Sequence, residues 1–285
     1  MPYRLLALDL DGTAVDTGQM PTPRVRQAVA AATAAGVHVI VATGRPYLSA
    51  RRYGEALGLC TPLICFQGAL IKECGGEART LFAEAVPCAP FAEVVDLARA
   101  RGLELNIYTE EMIYHGPTVH TPEFYDLWFG LAAQPVHDLA ATFADLCRAG
   151  RPVLKGLFIS EEAASDHLTA ELQARVAGRL TVMRSHPLFV EVTSPNVSKG
   201  QALAFLADWY GIPQAETIAV GDSGNDLSMV EWAGLGVAMA NATPEVRAAA
   251  DWIAPPVTED GVAAVIERFI LNAERPPSCD HVDRD

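Results

Sequence analysis

The chain has 285 residues, half of them hydrophobic and a fifth charged, with a formal net charge of -14. That length allows one large domain or two unequal ones, and the apolar content can bury a core without disulfides or a structural metal. The negative charge excludes duplex nucleic acid and anionic membranes as partners but leaves small anionic substrates open, because a few local cations outweigh a diffuse field at short range.

In chain order, residues 4–10 form a short apolar run, the pattern of a strand buried on both faces. Thr22 then caps a helix with Pro23 at its first position, and Gly36 ends it. Residues 37–41 read as a second strand, 49–57 as a helix and 63–66 as a third strand. Strands separated by helix-length segments predict parallel pairing in a doubly wound α/β sheet.

The stretch from Phe82 to Pro187 differs: helices over 91–101, 139–147 and 161–176 lie among short alternating strands such as 103–108, an α+β pattern. The first rhythm then resumes, with a helix over 198–210, a strand over 217–220 and a short helix over 227–232. Strands over 236–239 and 251–253 and a helix over 259–271 follow, and the tail from Arg275 is expected to be disordered. The predicted organisation is an α/β core of residues 1–82 and 188–285, interrupted by an α+β insertion over 83–187.

The six cysteines, Cys60, Cys65, Cys74, Cys88, Cys147 and Cys279, form no C-x-x-C pair and no zinc-ligand spacing. They read as reduced, mostly buried thiols of a cytoplasmic protein. The N-terminus leaves no room for a signal peptide, and no apolar run is long enough to span a bilayer, so a soluble protein is expected.

Four motifs carry the chemistry. Asp9-Leu10-Asp11-Gly12-Thr13 closes the first strand, where side-chain alternation sends Asp9 and Asp11 to one side. Two close carboxylates at the mouth of a buried sheet need a neutralising partner, and a divalent cation with hard oxygen ligands, such as Mg²⁺, fits. Taken alone the run also reads as a polar turn. Thr43-Gly44-Arg45 follows the second strand, at the carboxyl edge where open α/β sheets bind ligands. Ser198-Lys199-Gly200 opens a helix, where an anion would be attracted by ammonium and helix dipole together. Gly221-Asp222-Ser223-Gly224-Asn225-Asp226 follows another buried strand and suits a metal or a phosphate. Each of these has a structural reading by itself, but a doubly wound sheet brings all four to one edge.

In this order the motifs resemble the haloacid dehalogenase (HAD) superfamily, and more narrowly its Cof-type, IIB branch of phosphatases, whose cap domain is inserted between the second and third motifs. The resemblance covers the α/β part, about 180 residues at typical domain sizes. It implies a Rossmann-like HAD core with a C2-type cap, and Mg²⁺-dependent hydrolysis of small phosphorylated metabolites such as sugar phosphates. On that resemblance Asp9 is the nucleophile that becomes an aspartyl-phosphate, and Asp11 the acid and base. Asp11, Thr43, Gly44, Lys199 and Asn225 would bind the phosphate. Asp9, the Asp11 carbonyl and Asp222 would ligate Mg²⁺, with Asp226 supporting Lys199 or the metal's water shell. Gln67-Gly68 stands where the family usually shows Asn-Gly, and Asn196 where a glycine is common.

Two other readings stay open: a sugar phosphomutase or other phosphotransferase, and a non-catalytic sensor of a phosphorylated ligand. Among lesser candidates, His115 and His120 lack the spacing of a metal pair, and Trp128-Phe129 and Trp209-Tyr210 are expected in core or interface. Arg184 and His186 are candidates for the distal end of a substrate.

Overall fold

A computed structural model describes residues 3–16 and 18–272; the tail from Arg275 and Cys279 lie outside the described residues. In the first part β1 (Leu5–Leu8), α1 (Pro23–Ala34), β2 (His38–Val41) and α2 (Tyr47–Ala56) alternate, followed by β3 (Leu63–Cys65), β4 (Leu70–Lys72) and β5 (Thr80–Ala83). The middle holds α3 (Cys88–Arg101), β6 (Glu104–Tyr108), β7 (Ile113–His115), α4 (Pro122–Phe129) and β8 (Ala133–Pro135). It continues with α5 (Leu139–Arg148), β9 (Lys155–Ile159), α6 (Glu162–Val176), β10 (Thr181–His186) and β11 (Phe189–Thr193). Alternation returns with α7 (Lys199–Tyr210), β12 (Thr217–Gly221), α8 (Leu227–Trp232), β13 (Leu235–Met239), α9 (Pro244–Ala249), β14 (Trp252–Ala254) and α10 (Gly261–Ile266).

The expected doubly wound sheet is present. Five parallel strands run in the order β14-β13-β12-β1-β2, with Leu8 opposite Val220 on one side and Val41 on the other. β1 and β12 are buried along their whole length, which is why they read as unbroken apolar runs. Helix starts follow the sequence signals: Thr22 accepts from the Val25 amide with Pro23 at the first position, and Ser198 accepts from Gln201.

Three expectations are corrected here. The third strand does not extend the parallel sheet: β3 pairs with β4, and β4 with β5, in a small antiparallel sheet, and β3 meets the end of β2 only through one parallel bridge, Ala42 to Ile64. The last helix starts two residues later than expected, at Gly261, because Asp260 takes a left-handed backbone (φ 57) after the 3₁₀ turn Val257–Glu259, and it runs on from α10 as a π-helix over Glu267–Leu271. The cysteines are not all reduced: Cys88 and Cys147 form a disulfide, their Cα atoms 6.3 Å apart. α3 and α5 pack side by side through Phe91 and Phe143, which brings the first residue of one helix over the last turn of the other. Cys65 is buried, Cys74 half-buried and Cys60 exposed.

The middle segment builds a six-stranded, mainly antiparallel sheet in the order β10-β11-β9-β6-β7-β8. β11 belongs to it, so we propose that the insertion ends after Thr193 rather than at residue 187. One sheet face (Leu105, Ile107, Phe158, Val190, Val192) packs under α3, α5 and α6 in a core of its own. Alternation sends Tyr108, Leu157 and Phe189 to the opposite face, which packs into the cluster shared with the parallel-sheet core. Among the described residues no helix is long and apolar enough to cross a membrane.

Candidate active site

The ladder of β1 ends with the Asp9 amide on the Val220 carbonyl at 3.0 Å, and the chain then turns through Gly12. Gly12 sits at φ +88, and a Cβ there would lie 2.5 Å from Asp222 Oδ2, so only glycine lets the loops after β1 and β12 approach this closely. Thr13 Oγ1 donates to Asp222 Oδ1 at 2.9 Å, and Ser223 Oγ donates to Asp222 Oδ2 at 3.0 Å. Asp226 Oδ2 accepts from the Asp222 and Ser223 amides at 2.9 and 3.0 Å, tying the loop to the start of α8.

Lys199, the first residue of α7, is 1% exposed. Its ammonium donates to Asp9 Oδ1 at 2.6 Å and Asp226 Oδ1 at 2.5 Å. Carboxylate oxygens of Asp9, Asp222 and Asp226 lie within 4.8 Å of one another. Asp226, read from the sequence as a supporting residue, thus stands inside the acidic cluster. Burial, and next the Asp226 carboxylate, push the Asp9 carboxyl well above its ordinary range despite Lys199. The same two causes lift Asp222 from 3.8 to about 6. Burial acts to lower the Lys199 pKa, but Asp226 and Asp9 outweigh it and raise it, so the ammonium stays charged.

Arg45 is among the residues that sequence reasoning gave no role, as are Lys155 and Glu191 on the cavity wall. The Arg45 Nε and one terminal nitrogen grip both Asp11 oxygens at 2.7 and 2.6 Å, the other terminal nitrogen donates to Ser49 Oγ at 3.1 Å, and the guanidinium lies over the Tyr53 ring. An arginine beside a binding loop, 34 positions from its carboxylate, carries no local signal of a bidentate pair. Four carboxylates (Asp9, Asp11, Asp222, Asp226) therefore meet two cations, Arg45 and Lys199, at this edge. With all four ionised, two negative charges are left over in a largely buried place, and a divalent cation with oxygen ligands fits that imbalance.

Asp9, Asp11, Thr43, Gly44, Asp222 and Asn225 line one cavity of about 280 Å³. Lys199 does not line it and acts on it through Asp9; it faces a second, more open cleft behind Gln67 and Asn225. Thr43 Oγ1 accepts from the Arg45 amide at 3.2 Å. The insertion covers the cavity with Phe129, Leu157, Ser185, His186, Phe189 and Glu191. His186 thus reaches the site as anticipated, whereas Arg184 turns to Asp166 at 2.7 Å on the outer surface. Phe129 is buried in the core as expected and also forms part of the cavity wall, while the Trp128 side chain lies outside the described residues. His115 and His120 stack on Tyr125 and Phe124 and are not among the residues of the acidic cluster. Trp209 is half exposed, and Tyr210 stacks on His38.

The sequence profile of the haloacid dehalogenase-like hydrolases matches residues 6–266, nearly the whole described chain. The chain belongs to this family. The haloacid dehalogenase-like assignment bears out the resemblance read from the four motifs and makes the protein an enzyme of the phosphatase type. It is similar to YxeH of Bacillus subtilis, which carries a provisional phosphatase name, with 34% identity over 274 residues covering 94% of this chain and 99% of that protein. It is also similar to the 5-amino-6-(5-phospho-D-ribitylamino)uracil phosphatase YcsE of Bacillus subtilis, at 28% identity, covering 94% of this chain and 96% of that protein. A solved haloacid dehalogenase-like hydrolase from B. subtilis superposes with a TM-score of 0.82 at 27% identity, covering 94% of this chain and 100% of that one.

Proposed function

We propose that this haloacid dehalogenase-like enzyme hydrolyses small phosphate monoesters, sugar phosphates or comparable polyol esters, through an aspartyl-phosphate on Asp9 and with Mg²⁺. The observation that carries the reading is the buried acidic cluster: Asp9 on the cavity floor, held at 2.6 Å by Lys199, with two negative charges uncompensated when all four carboxylates are ionised. Asp9, Asp222 and the Asp11 carbonyl would hold Mg²⁺, with Asp226 beside them. When bound, the ion neutralises charge on the transferring phosphoryl group and favours the ionised form of Asp9.

In the first step an Asp9 carboxylate oxygen attacks phosphorus while the ester P–O bond breaks. Asp11, in its protonated form and parted from the Arg45 guanidinium that grips both its oxygens here, gives its proton to the leaving alkoxide. In the second, water attacks the phosphorus of the acyl phosphate and passes a proton to Asp11; Asp9 is regenerated and phosphate leaves. Thr43, Gly44 and Asn225 hold the phosphoryl oxygens, and Lys199 fixes the Asp9 oxygen that does not attack. Phosphoryl transfer depends mostly on positioning and charge neutralisation, which this set supplies. The cap wall supports a small leaving group with hydroxyls: Ser185, His186 and Glu191 are polar, and Phe129 and Phe189 give an apolar side.

The test is phosphate release from sugar phosphates, nucleotides and a generic aryl phosphate, with Mg²⁺, with excess chelator, and by Asp9→Asn. Release that requires both the metal and Asp9 is expected. An isomeric phosphate appearing in place of free phosphate would instead establish the mutase reading.

A further inference from the structure

One wall of the cavity joins Asn225 to buried polar groups, Gln67, Glu191 and Lys155, that take no part in the phosphoryl-transfer steps above. Asn225 Nδ2 donates to Gln67 Oε1 at 3.0 Å, and Gln67 Nε2 donates to Glu191 Oε1 at 3.3 Å. Glu191 also accepts from Ser185 Oγ at 2.6 Å and Lys155 Nζ at 2.9 Å, and Lys155 Nζ reaches back to the Gly44 carbonyl at 2.9 Å. The chain of bonds starts in one phosphate-side loop of the core, crosses into the cap, and returns to the other loop. Gln67, Glu191 and Lys155 are each at most 3% exposed.

Glu191 and Lys155 sit on the adjacent strands β11 and β9, so their ion pair lies wholly inside the cap. Within this network the bonds that cross the seam are Gln67 to Glu191 and Lys155 to Gly44. Parting cap from core would break these two and leave the charges paired with each other.

The backbone at Gln67 is strained. Phe66 (φ 50), Gln67 (φ 61) and Gly68 (φ 103) are three successive residues in the left-handed region, two of them bearing large buried side chains. Neighbours from all sides hold them there. The Phe66 and Gln67 amides donate to the Arg45 and Thr43 carbonyls at 3.1 and 3.2 Å. A Cβ on Gly68 would lie 2.4 Å from the Ser198 carbonyl oxygen, and one on Gly44 would lie 2.4 Å from Gln67 Nε2. The turn therefore touches the Thr43 loop, the residue before Lys199, and Asn225 at once.

We propose that Gln67 is a positioning residue: its amide is the joint through which docking of Glu191 in the cap sets Asn225 and the Thr43–Arg45 loop for the phosphoryl group. The assignment rests on the phosphatase reading and adds to it that the binding groups reach their working geometry with the cap docked.

The test measures kcat and KM for aryl phosphate hydrolysis, with thermal unfolding alongside, for wild type, Gln67→Leu, Gln67→Asn, Glu191→Gln and the Gln67→Leu/Glu191→Gln double variant. Gln67→Leu should lower kcat about tenfold, the effect of losing one well-placed hydrogen bond. In the Glu191→Gln background the same change should cost little more, because the joint is already weakened. Asparagine tolerates left-handed backbone better than glutamine but is one carbon shorter. Gln67→Asn should therefore keep the unfolding temperature and still lose kcat, whereas a purely structural role would leave its kcat at the wild-type level. Wild-type kcat in Gln67→Asn and Gln67→Leu, or losses that add in the double variant, would overturn the inference alone. Absence of phosphate release by the wild-type protein would overturn the phosphatase reading and this inference with it.

Discussion

Lys199→Met replaces an ammonium by an apolar chain of similar length between two carboxylates, 2.6 and 2.5 Å from its nitrogen, with both partners buried. Removing one partner of a buried ion pair leaves an uncompensated charge and typically costs about 3–5 kcal/mol, a large share of a total stability of about 5–15 kcal/mol. Urea unfolding in excess chelator at about pH 8 should show that loss. It should shrink at lower pH, because Asp9 already holds its proton more tightly than an ordinary carboxyl and takes it up more readily without Lys199. Mg²⁺ should stabilise the variant more than the wild type; a ligand at a hundredfold its Kd contributes about 2.7 kcal/mol, and the variant's cluster is more negative. A loss below about 1 kcal/mol in chelator, or one equal at both pH values, would show that the Lys199 ion pairs do not hold this edge together.

Metal-free stability should also carry the signature of Asp222, whose carboxyl is raised from 3.8 to about 6 in the folded protein. Folded chains then bind more protons than unfolded ones across that window, so the stability difference between wild type and Asp222→Asn should fall as pH rises from 3.8 to about 6; a difference independent of pH refutes this. The Cys88–Cys147 bridge spans 59 residues, for which loop closure predicts about 4 kcal/mol, so dithiothreitol or the double serine variant should lower the urea midpoint. Thiol titration of denatured, unreduced protein should leave two of the six cysteines unreactive, and six reactive thiols would disprove the bridge. Gly68→Ala places a methyl 2.4 Å from the Ser198 carbonyl oxygen at φ +103, and about 1–3 kcal/mol of strain at the root of α7 should appear in thermal unfolding together with lost activity.

The strands that carry the site were legible because they are buried on both faces. Leu5–Leu8 is apolar throughout and Thr217–Gly221 is apolar after Thr217, and their carboxyl ends are marked at once by Asp9 and Asp222. The faces of the motif residues were legible too: β1 stops at Leu8, but the Asp9 amide continues the ladder to Val220, and Asp9 and Asp11 both line the cavity, on one side as alternation predicts. What stayed hidden depends on pairs distant in sequence. Arg45 and Asp11, Gln67 and Glu191, and Cys88 and Cys147 are set by tertiary packing, and a single sequence has no period that reports it. Lys155 and Glu191 were masked for a related reason: in short cap strands a charged residue usually marks the solvent face, whereas here each supplies the other's counter-ion out of water.

The place of β1 between β2 and β12 also fixes when the chain can become competent during its own synthesis. β2 is available early, but Thr13 and its partner Asp222 are 209 residues apart. At translation rates of about 5–20 residues per second, the strand carrying Asp9 waits on the order of ten seconds or more with one flank unpaired. The six-stranded sheet is complete once Thr193 has been made, well ahead of β12. The sheet over the cavity is therefore made before the strand that leads to Asp222, and a nascent chain halted between them would carry Asp9 and Asp11 without Asp222 and Asp226.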